Sequence, residues 1–201
     1  MKIKLQADET RLKSLRELLS SVPKGIEKAT MRAVNRALSS GKTQISRDVR
    51  KAFTVRSDAI SETVKERKAT LTNLSGELSS KGRSLPLRAF KHTPTDASTT
   101  GGNRKPVRVT VKKGQSFDLQ RGFKWKGHIF ERNENAPRTR VYQDRRNGRK
   151  RLGAPIEKKF DRAVPQMIEE VAVQSVQAKM QDVMQKRLDH EARQLLKGAT
   201  K

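Results

Sequence analysis

The chain has 201 residues, of which 33% are hydrophobic and only 4% aromatic, so it holds little apolar material for a large core. Its 46 lysines and arginines outnumber 21 aspartates and glutamates, which gives a formal charge of +25 at pH 7. This imbalance predicts a polyanionic partner or strongly acidic protein neighbours.

The absence of cysteine excludes disulfide and thiolate chemistry. The first residues lack the apolar core of a signal peptide, and no later run approaches the ~20 apolar residues that a membrane span needs. We therefore expect a protein that is soluble and intracellular when it is made, with no membrane partner.

Residues 1–69 are predicted to be mainly helical. Residues 2–5 alternate lysine with apolar side chains, as a short edge strand does. Leucines at helical spacing after Asp8 predict a helix that ends before Pro23. A shorter capped helix is predicted over residues 57–68.

The longest predicted helix covers residues 24–53. Its narrow apolar stripe recurs at three- and four-residue spacing and consists mostly of small residues, so we expect it to pack closely on a sheet or a neighbouring subunit. Ser39, Ser40 and Gly41 are weak helix formers and predict a bend or break. The residues assigned to packing are Ala33, Ala37, Leu38, Ile45 and Val49.

Between residues 70 and 156 the hydrophobic period changes to that of strands. Residues 85–89 alternate around a proline and predict an edge strand. Residues 91–106 are rich in Thr, Ser, Gly and Pro and predict a long mobile loop. Residues 107–111 predict a strand that ends in a turn at Gly114.

Residues 122–133 predict a hairpin that carries most of the aromatic surface. Because the chain has few other large side chains, Phe123, Trp125, Ile129 and Phe130 are expected in the core. Too few aromatic residues then remain for a platform that stacks single-stranded bases, which favours backbone contact with duplex DNA instead.

A second basic hairpin is predicted over residues 139–153, because an Asn-Gly pair lies between two runs of arginine and lysine. Clustered cations of this kind suit phosphate groups. The residues assigned to DNA or anion contact are Arg138, Arg140, Arg145, Arg146, Arg149, Lys150 and Arg151.

Residues 157–201 predict a C-terminal helix, with Pro165 in its first turn and an apolar stripe up to Gly198. The residues assigned to helix docking are Ile168, Val176, Met180, Val183 and Leu188. The whole pattern predicts one α+β domain over residues 1–201. In it a small antiparallel sheet is flanked by long N-terminal and C-terminal helices, with extended basic hairpins and loops.

The sequence offers no convincing catalytic or metal site. Residues 40–43 look like the end of a phosphate-binding loop, but Arg36 stands where that motif needs glycine, and the segment is predicted helical. His92, His128 and His190 lie in different elements with no carboxylate at ligand spacing. We therefore expect no enzyme activity, no metal and no cofactor.

Several segments resemble the minor tail protein Z family of long-tailed bacteriophages, also called tail completion proteins. They are AVNRALSSGKTQISRDVRKAFTVRSDAISETVKERKAT at 33–70, SLPLRAFK at 84–91, GHIFERN at 127–133 and PIEKKFDRAVPQMIEEV at 155–171. The resemblance implies an α+β structural protein of the virion neck, assembled in the host cytoplasm. Such a protein completes the tail at its head-proximal end and enables head-tail joining.

The resemblance also implies a ring of subunits, commonly hexameric, around the DNA channel. Its neighbours would be tail terminator or tail tube proteins and head-neck connector proteins, with non-specific contact to genomic double-stranded DNA. The composition leaves open an alternative, a free-standing, sequence-independent nucleic-acid-binding protein. A further rival is a regulatory or scaffolding protein that is absent from mature particles.

Overall fold

The computed structural model describes residues 1–6, 9–18, 22, 24–93, 106–133, 135–137, 140–143, 150–153 and 155–199. Helices and antiparallel strands both occur in quantity, which confirms the predicted α+β class. The prediction of a single small sheet is wrong. The described strands form three three-stranded sheets and one two-stranded hairpin.

The chain divides into two compact units, which we call the helical unit and the strand unit. The helical unit comprises Met1–Ala52, Ser57–Arg83 and Ala163–Lys201, and the strand unit comprises Phe53–Arg56 and Ser84–Arg162. The elements of the helical unit are β1 (Lys2–Leu5), α1 (Glu9–Leu18), α2 (Gly25–Ala52), α3 (Ser57–Thr63), β2 (Val64–Arg67), β3 (Gly76–Ser80), α4 (Val164–Val171) and α5 (Val173–Ala199).

In the helical unit, α2 packs along α5 and also covers one face of an antiparallel sheet with strand order β1-β3-β2. The predicted strand at residues 2–5 is confirmed as β1, at an edge of this sheet. Leu78 of β3 is fully buried beneath α2. A Cβ at Gly76 would lie within 3 Å of Val34 and Leu38, so the strand and the helix are in close contact there.

The close packing of α2 on α5 depends on Gly41. A Cβ built there would lie 2.5 Å from Sδ of Met180 and 2.7 Å from its Cγ. The break predicted as one alternative at residues 39–41 is absent, because α2 is continuous through them. The missing side chain of Gly41 instead makes room for a buried methionine of the opposite helix.

Two further helix predictions are wrong in part. The helix predicted over residues 57–68 ends at Thr63, and the chain continues as β2, because pairing with β3 outweighs the local helix signal. The predicted C-terminal helix begins only at Val164 and is interrupted at Ala172, between α4 and α5. Pro165 does lie in the first turn of α4, as predicted.

The strand unit contains three sets of paired strands. Its strands are β4 (Lys91–Thr93), β5 (Val107–Thr110), β6 (Ser116–Leu119), β7 (Gly122–Trp125), β8 (His128–Arg132), β9 (Arg140–Gln143), β10 (Lys150–Gly153) and β11 (Ile156–Lys158). They form a sheet of order β4-β5-β6, a sheet of order β11-β8-β7 and the hairpin β9-β10. The predicted strand at 107–111, the turn at Gly114 and the hairpin at 122–133 are confirmed.

The segment before β4 does not form the predicted edge strand. Leu85 exchanges backbone hydrogen bonds with Asp161 and Arg162, but after Pro86 the chain turns into a short 3-10 helix over Leu87–Ala89. The predicted mobile loop is wrong at its start, because residues 91–93 form β4. The rest of that prediction, residues 94–105, lies outside the described residues.

The predicted aromatic core of the strand unit is wrong for most of its members. Only Ile129 is fully buried, whereas Phe123 and Phe130 are half-buried and Trp125 is 54% exposed. The cause is the strand register, which places Ile129 on one face of the β11-β8-β7 sheet and the three aromatic side chains on the other.

Candidate anion-binding surfaces

Three of the seven residues predicted to contact DNA lie on the β9-β10 hairpin. Arg140 lies on β9 opposite Gly153, and Lys150 and Arg151 lie on β10 opposite Gln143 and Tyr142. The hairpin therefore brings three of the predicted residues onto one two-stranded ribbon. The remaining four, Arg138, Arg145, Arg146 and Arg149, lie outside the described residues.

The residues predicted to pack against partners lie inside the helical unit. Ala33, Ala37, Leu38, Ile45 and Val49 of α2 are fully buried, as are Ile168, Val176, Met180 and Leu188 of α4 and α5, and Val183 is half-buried. These side chains fill the core of this chain, which leaves the fully buried ones no accessible surface for another subunit.

A basic surface that the sequence analysis missed is a groove on the helical unit, with a volume of about 450 Å³ and open to solvent. We call it the arginine groove. Its lining residues are Arg32, Asn35, Arg36 and Ser39 of α2, Lys68 after β2, and Arg187 and Glu191 of α5.

One buried carboxylate organises the arginine groove. Glu191 is 4% exposed, its Oε2 accepts a hydrogen bond from Nη1 of Arg32 at 3.1 Å, and its Oε1 lies 2.9 Å from Nη2 of Arg187. Two guanidinium groups from different helices are thereby held on either side of one carboxylate, although like charges repel. Each guanidinium has five N–H donors, so both retain donors for a further anion.

Asn35 holds the segment that carries Lys68. Its Nδ2 donates to the carbonyl oxygen of Ala69 at 3.1 Å, and its Oδ1 accepts from the amide of Ala69 at 2.8 Å. This pair of bonds mimics backbone pairing and ties the chain after β2 to α2. Lys68 and Arg36 are exposed and make no hydrogen bond or ion pair with another described residue.

Four cations and one carboxylate give the arginine groove a formal charge of +3. The fixed pair of arginines and the two free cations suit a ligand with several anionic oxygens, such as a phosphate backbone. A helical spacing of four between Arg187 and Glu191 is visible in the sequence. The contribution of Arg32 cannot be seen in the sequence, because it depends on the packing of α2 against α5.

A second basic surface on the same unit is the outer face of the β1-β3-β2 sheet. The register aligns cations of both outer strands beside β3; the residues of this face are Lys2, Lys4, Lys65, Arg67, Glu77 and Ser79. Its carboxylate, that of Glu77, lies 3.7 Å from Nζ of Lys2. The outer face is therefore also positive, but its cations are held less firmly than those of the arginine groove.

The described residues form neither a metal site nor a membrane span. Within the ranges that the structure describes, no three His, Asp or Glu side chains gather closely enough to hold a metal ion. None of the described helices combines the length and apolar character of a membrane span. His92, His128 and His190 lie apart, on β4, β8 and α5.

Comparisons of the chain with known protein families, with curated proteins and with solved structures found no match.

Proposed function

We propose that this chain is a virion structural protein at the head-proximal end of a phage tail, where it completes the tail and enables the tail to join the head. In this proposal several copies, commonly six, form a ring around the DNA channel. The observation that carries the proposal is the arginine groove. Arg36 and Lys68, its two free cations, both belong to the segment 33–70 that resembles tail completion proteins.

The groove supports contact with duplex DNA that does not depend on sequence. Guanidinium and ammonium groups bind phosphate oxygens, which every base pair presents alike. Glu191 stabilises the position of two of these cations before any ligand arrives, so less side-chain freedom is lost on binding. A channel protein needs such contact, because DNA must pass it in any register.

The size of the charge argues for protein partners as well as DNA. Six copies would carry a formal charge of about +150, since each chain carries +25. A ring ~40 Å tall faces only about 24 phosphates of duplex DNA. The larger part of the charge would therefore meet acidic faces of tail terminator, tail tube or head-neck connector proteins.

The experiment that tests this proposal is image reconstruction of intact, DNA-filled particles of the phage that encodes the chain. The proposal expects a closed ring of this protein at the top of the tail, with a basic surface beside the DNA density. Absence of the chain from mature particles would overturn the proposal. A ring whose lumen is lined by neutral or acidic residues would overturn the DNA contact alone.

A second candidate function is a free-standing, sequence-independent nucleic-acid-binding protein. One observation favours it: the arginine groove is built from one chain and open to solvent, so it needs no ring to reach DNA. Such a protein would bind duplex DNA as a monomer with a steep salt dependence. A tail completion protein is expected to oligomerise with its neck partners, which analytical ultracentrifugation of the purified proteins distinguishes.

A further inference from the structure

The β11-β8-β7 sheet of the strand unit has two chemically different faces. On one face Ile129 is buried, and a Cβ at Gly122 would lie 2.6 Å from Leu119, so this face packs against the neighbouring strands. The acidic residues of the sheet share this face, where Nζ of Lys159 lies 3.0 Å from Glu131 and 3.7 Å from Glu157.

The opposite face, which we call the aromatic face, carries large side chains in register. Its residues are Phe123 and Trp125 of β7, His128, Phe130 and Arg132 of β8, and Ile156, Lys158 and Phe160 of β11 and its continuation. The amide of Lys159 donates to Ile129 at 3.1 Å, so the pairing continues past β11 and sets Phe160 opposite His128. Trp125, His128 and Phe160 therefore form one row across three strands.

The rings of the aromatic face contact each other, and two of them, those of Trp125 and Phe160, are exposed. Phe130 lies at the centre, with ring centroids 5.9 Å from Phe123 and 5.9 Å from Trp125. Trp125 is 54% exposed and Phe160 is 52% exposed. Large apolar side chains grouped in this way on a surface mark a binding site more often than single ones do.

Each exposed ring has a cation beside it. Nζ of Lys126 lies 5.1 Å from the ring centroid of Trp125, and Nζ of Lys158 lies 5.4 Å from that of Phe160. The guanidinium of Arg132 lies 5.8 Å from the ring of Phe123. Within the described part of the chain, none of these three cations pairs with a carboxylate.

The turn between β7 and β8 supports this arrangement. Lys126 and Gly127 have φ of 44° and 74°, the pattern of a tight hairpin turn in which asparagine or glycine is usual at the first position. Lysine adopts this left-handed conformation at an energetic cost, and here it places the ammonium group over Trp125. The pKa of His128 is lowered by burial and by the charges of Arg88 and Lys158, as expected on a positive surface.

A surface on which aromatic rings alternate with unpaired cations suits single-stranded nucleic acid better than it suits other polyanions. Bases of a single strand can lie on aromatic rings while their phosphates contact lysine and arginine. In a duplex the bases are already stacked, so exposed rings add nothing to its binding. An acidic protein would satisfy the cations, but it would not need a row of flat rings.

We propose that the aromatic face binds single-stranded nucleic acid, with bases stacked on Trp125 and Phe160 and phosphates held by Lys126, Arg132 and Lys158. This role is separate from the duplex contact proposed for the helical unit. It also reverses the expectation that aromatic residues are too few for stacking, because the fold gathers Phe160 and the half-buried phenylalanines beside the exposed tryptophan.

The chain contains a single tryptophan, Trp125, so its fluorescence reports on this face alone. We would titrate the full-length protein with an oligothymidine of about 12 nucleotides and, separately, with an oligouridine of the same length. Base stacking should quench the fluorescence in a saturable way, and the stronger of the two responses identifies DNA or RNA. A duplex of equal length should bind without comparable quenching.

Two matched variants separate stacking from general charge. Phe160→Ala removes an exposed ring of the aromatic face, and Phe117→Ala removes an exposed ring of β6, on another sheet. Phe160→Ala should weaken oligonucleotide binding about tenfold, whereas Phe117→Ala should change it less than about twofold. Far-UV circular dichroism checks that both variants retain the fold.

Binding of an oligonucleotide without quenching would overturn this proposal, as would equal affinities of the two variants. The proposal would also be overturned if the Phe160→Ala variant failed to assemble into particles but bound oligonucleotides as the unaltered protein does. That result would assign the face to a protein partner. These outcomes are independent of the ring. If the protein forms a ring in particles but does not bind single strands, only this inference is overturned. If it binds single strands but forms no ring in particles, only the proposed function is overturned.

Discussion

The helical unit and the strand unit use their apolar residues in different ways. In the helical unit the stripes of α2 and α5 are buried, and among its described residues the exposed large hydrophobic side chain is that of Leu71. In the strand unit Phe117, Trp125, Ile156 and Phe160 remain exposed. In the two proposals made above, the helical unit therefore binds by charge alone, whereas the strand unit adds flat apolar surfaces to its charge.

The core of the helical unit should be far more sensitive to truncation than the aromatic face. Leu38→Ala removes a fully buried side chain and should lower the free energy of unfolding by about 2–5 kcal/mol. Trp125→Ala removes a larger but mostly exposed side chain and should cost less than about 1 kcal/mol. Urea unfolding followed by far-UV circular dichroism measures both, and similar losses would contradict the comparison.

The contact of Gly41 with Met180 provides a sharper probe of the helical core. Gly41→Val places carbon atoms where the methionine lies and should lower the free energy of unfolding by about 1–3 kcal/mol. Ser39→Val introduces the same side chain at an exposed position of α2 and should change it by less than about 0.5 kcal/mol. Equal thermal shifts for the two variants would refute close packing at Gly41.

The two free cations of the arginine groove, Arg36 and Lys68, should contribute to duplex affinity without contributing to stability. Arg36→Gln combined with Lys68→Gln should reduce the slope of log K against log salt concentration by about 2, because each lost phosphate contact reduces it by about 1. Arg47→Gln with Arg50→Gln removes equal charge from exposed positions of α2 outside the groove. Fluorescence anisotropy at several salt concentrations compares the pairs, and identical slopes would exclude the groove as the contact.

The smallest effect is expected at an exposed ion pair of the strand unit. Arg108 donates hydrogen bonds to Asp118 at 2.7 and 2.9 Å, and this bonding lowers the pKa of the Asp118 carboxyl below its ordinary 3.8. A lowered folded-state pKa stabilises the fold above pH 3.8, and this contribution is lost as the pH falls through the folded-state value.

Arg108→Gln should therefore lower Tm slightly at neutral pH, and the difference from the unaltered protein should shrink below pH 3.8. Differential scanning calorimetry across this range measures the difference. A difference that stays constant down to the acid limit would mean that Asp118 is not the partner that matters.

Local sequence patterns predicted the long helices well, because apolar residues at helical spacing are a strong signal. They failed where distant partners decide the outcome. Residues 64–67 form a strand because β3 lies beside them, and Gly41 interrupts nothing because Met180 fills the space it leaves. Neither the pairing of residues 64–67 with β3 nor the contact of Gly41 with Met180 can be inferred from the local sequence.

The candidate surfaces were harder to predict than the fold. The sequence drew attention to runs of neighbouring arginines, whereas the arginine groove assembles cations from three separate segments around Glu191. The exposed position of Trp125 was also unpredictable, because composition argues that rare aromatic residues are needed in the core. Only the pairing of β7, β8 and β11 decides which face each ring occupies.

The helical unit is discontinuous in the chain, since the whole strand unit lies between α2 and α5. During synthesis the ribosome adds about 120 residues between the end of α2 and the start of α5, which takes roughly 6–24 s at typical rates. Throughout that interval the apolar stripe of α2 lacks its principal partner. The strand unit is synthesised within the same interval and ends at Arg162, before α5 begins. The strand unit therefore has time to fold first, and the nascent helix is a natural client for chaperones until α5 leaves the ribosome.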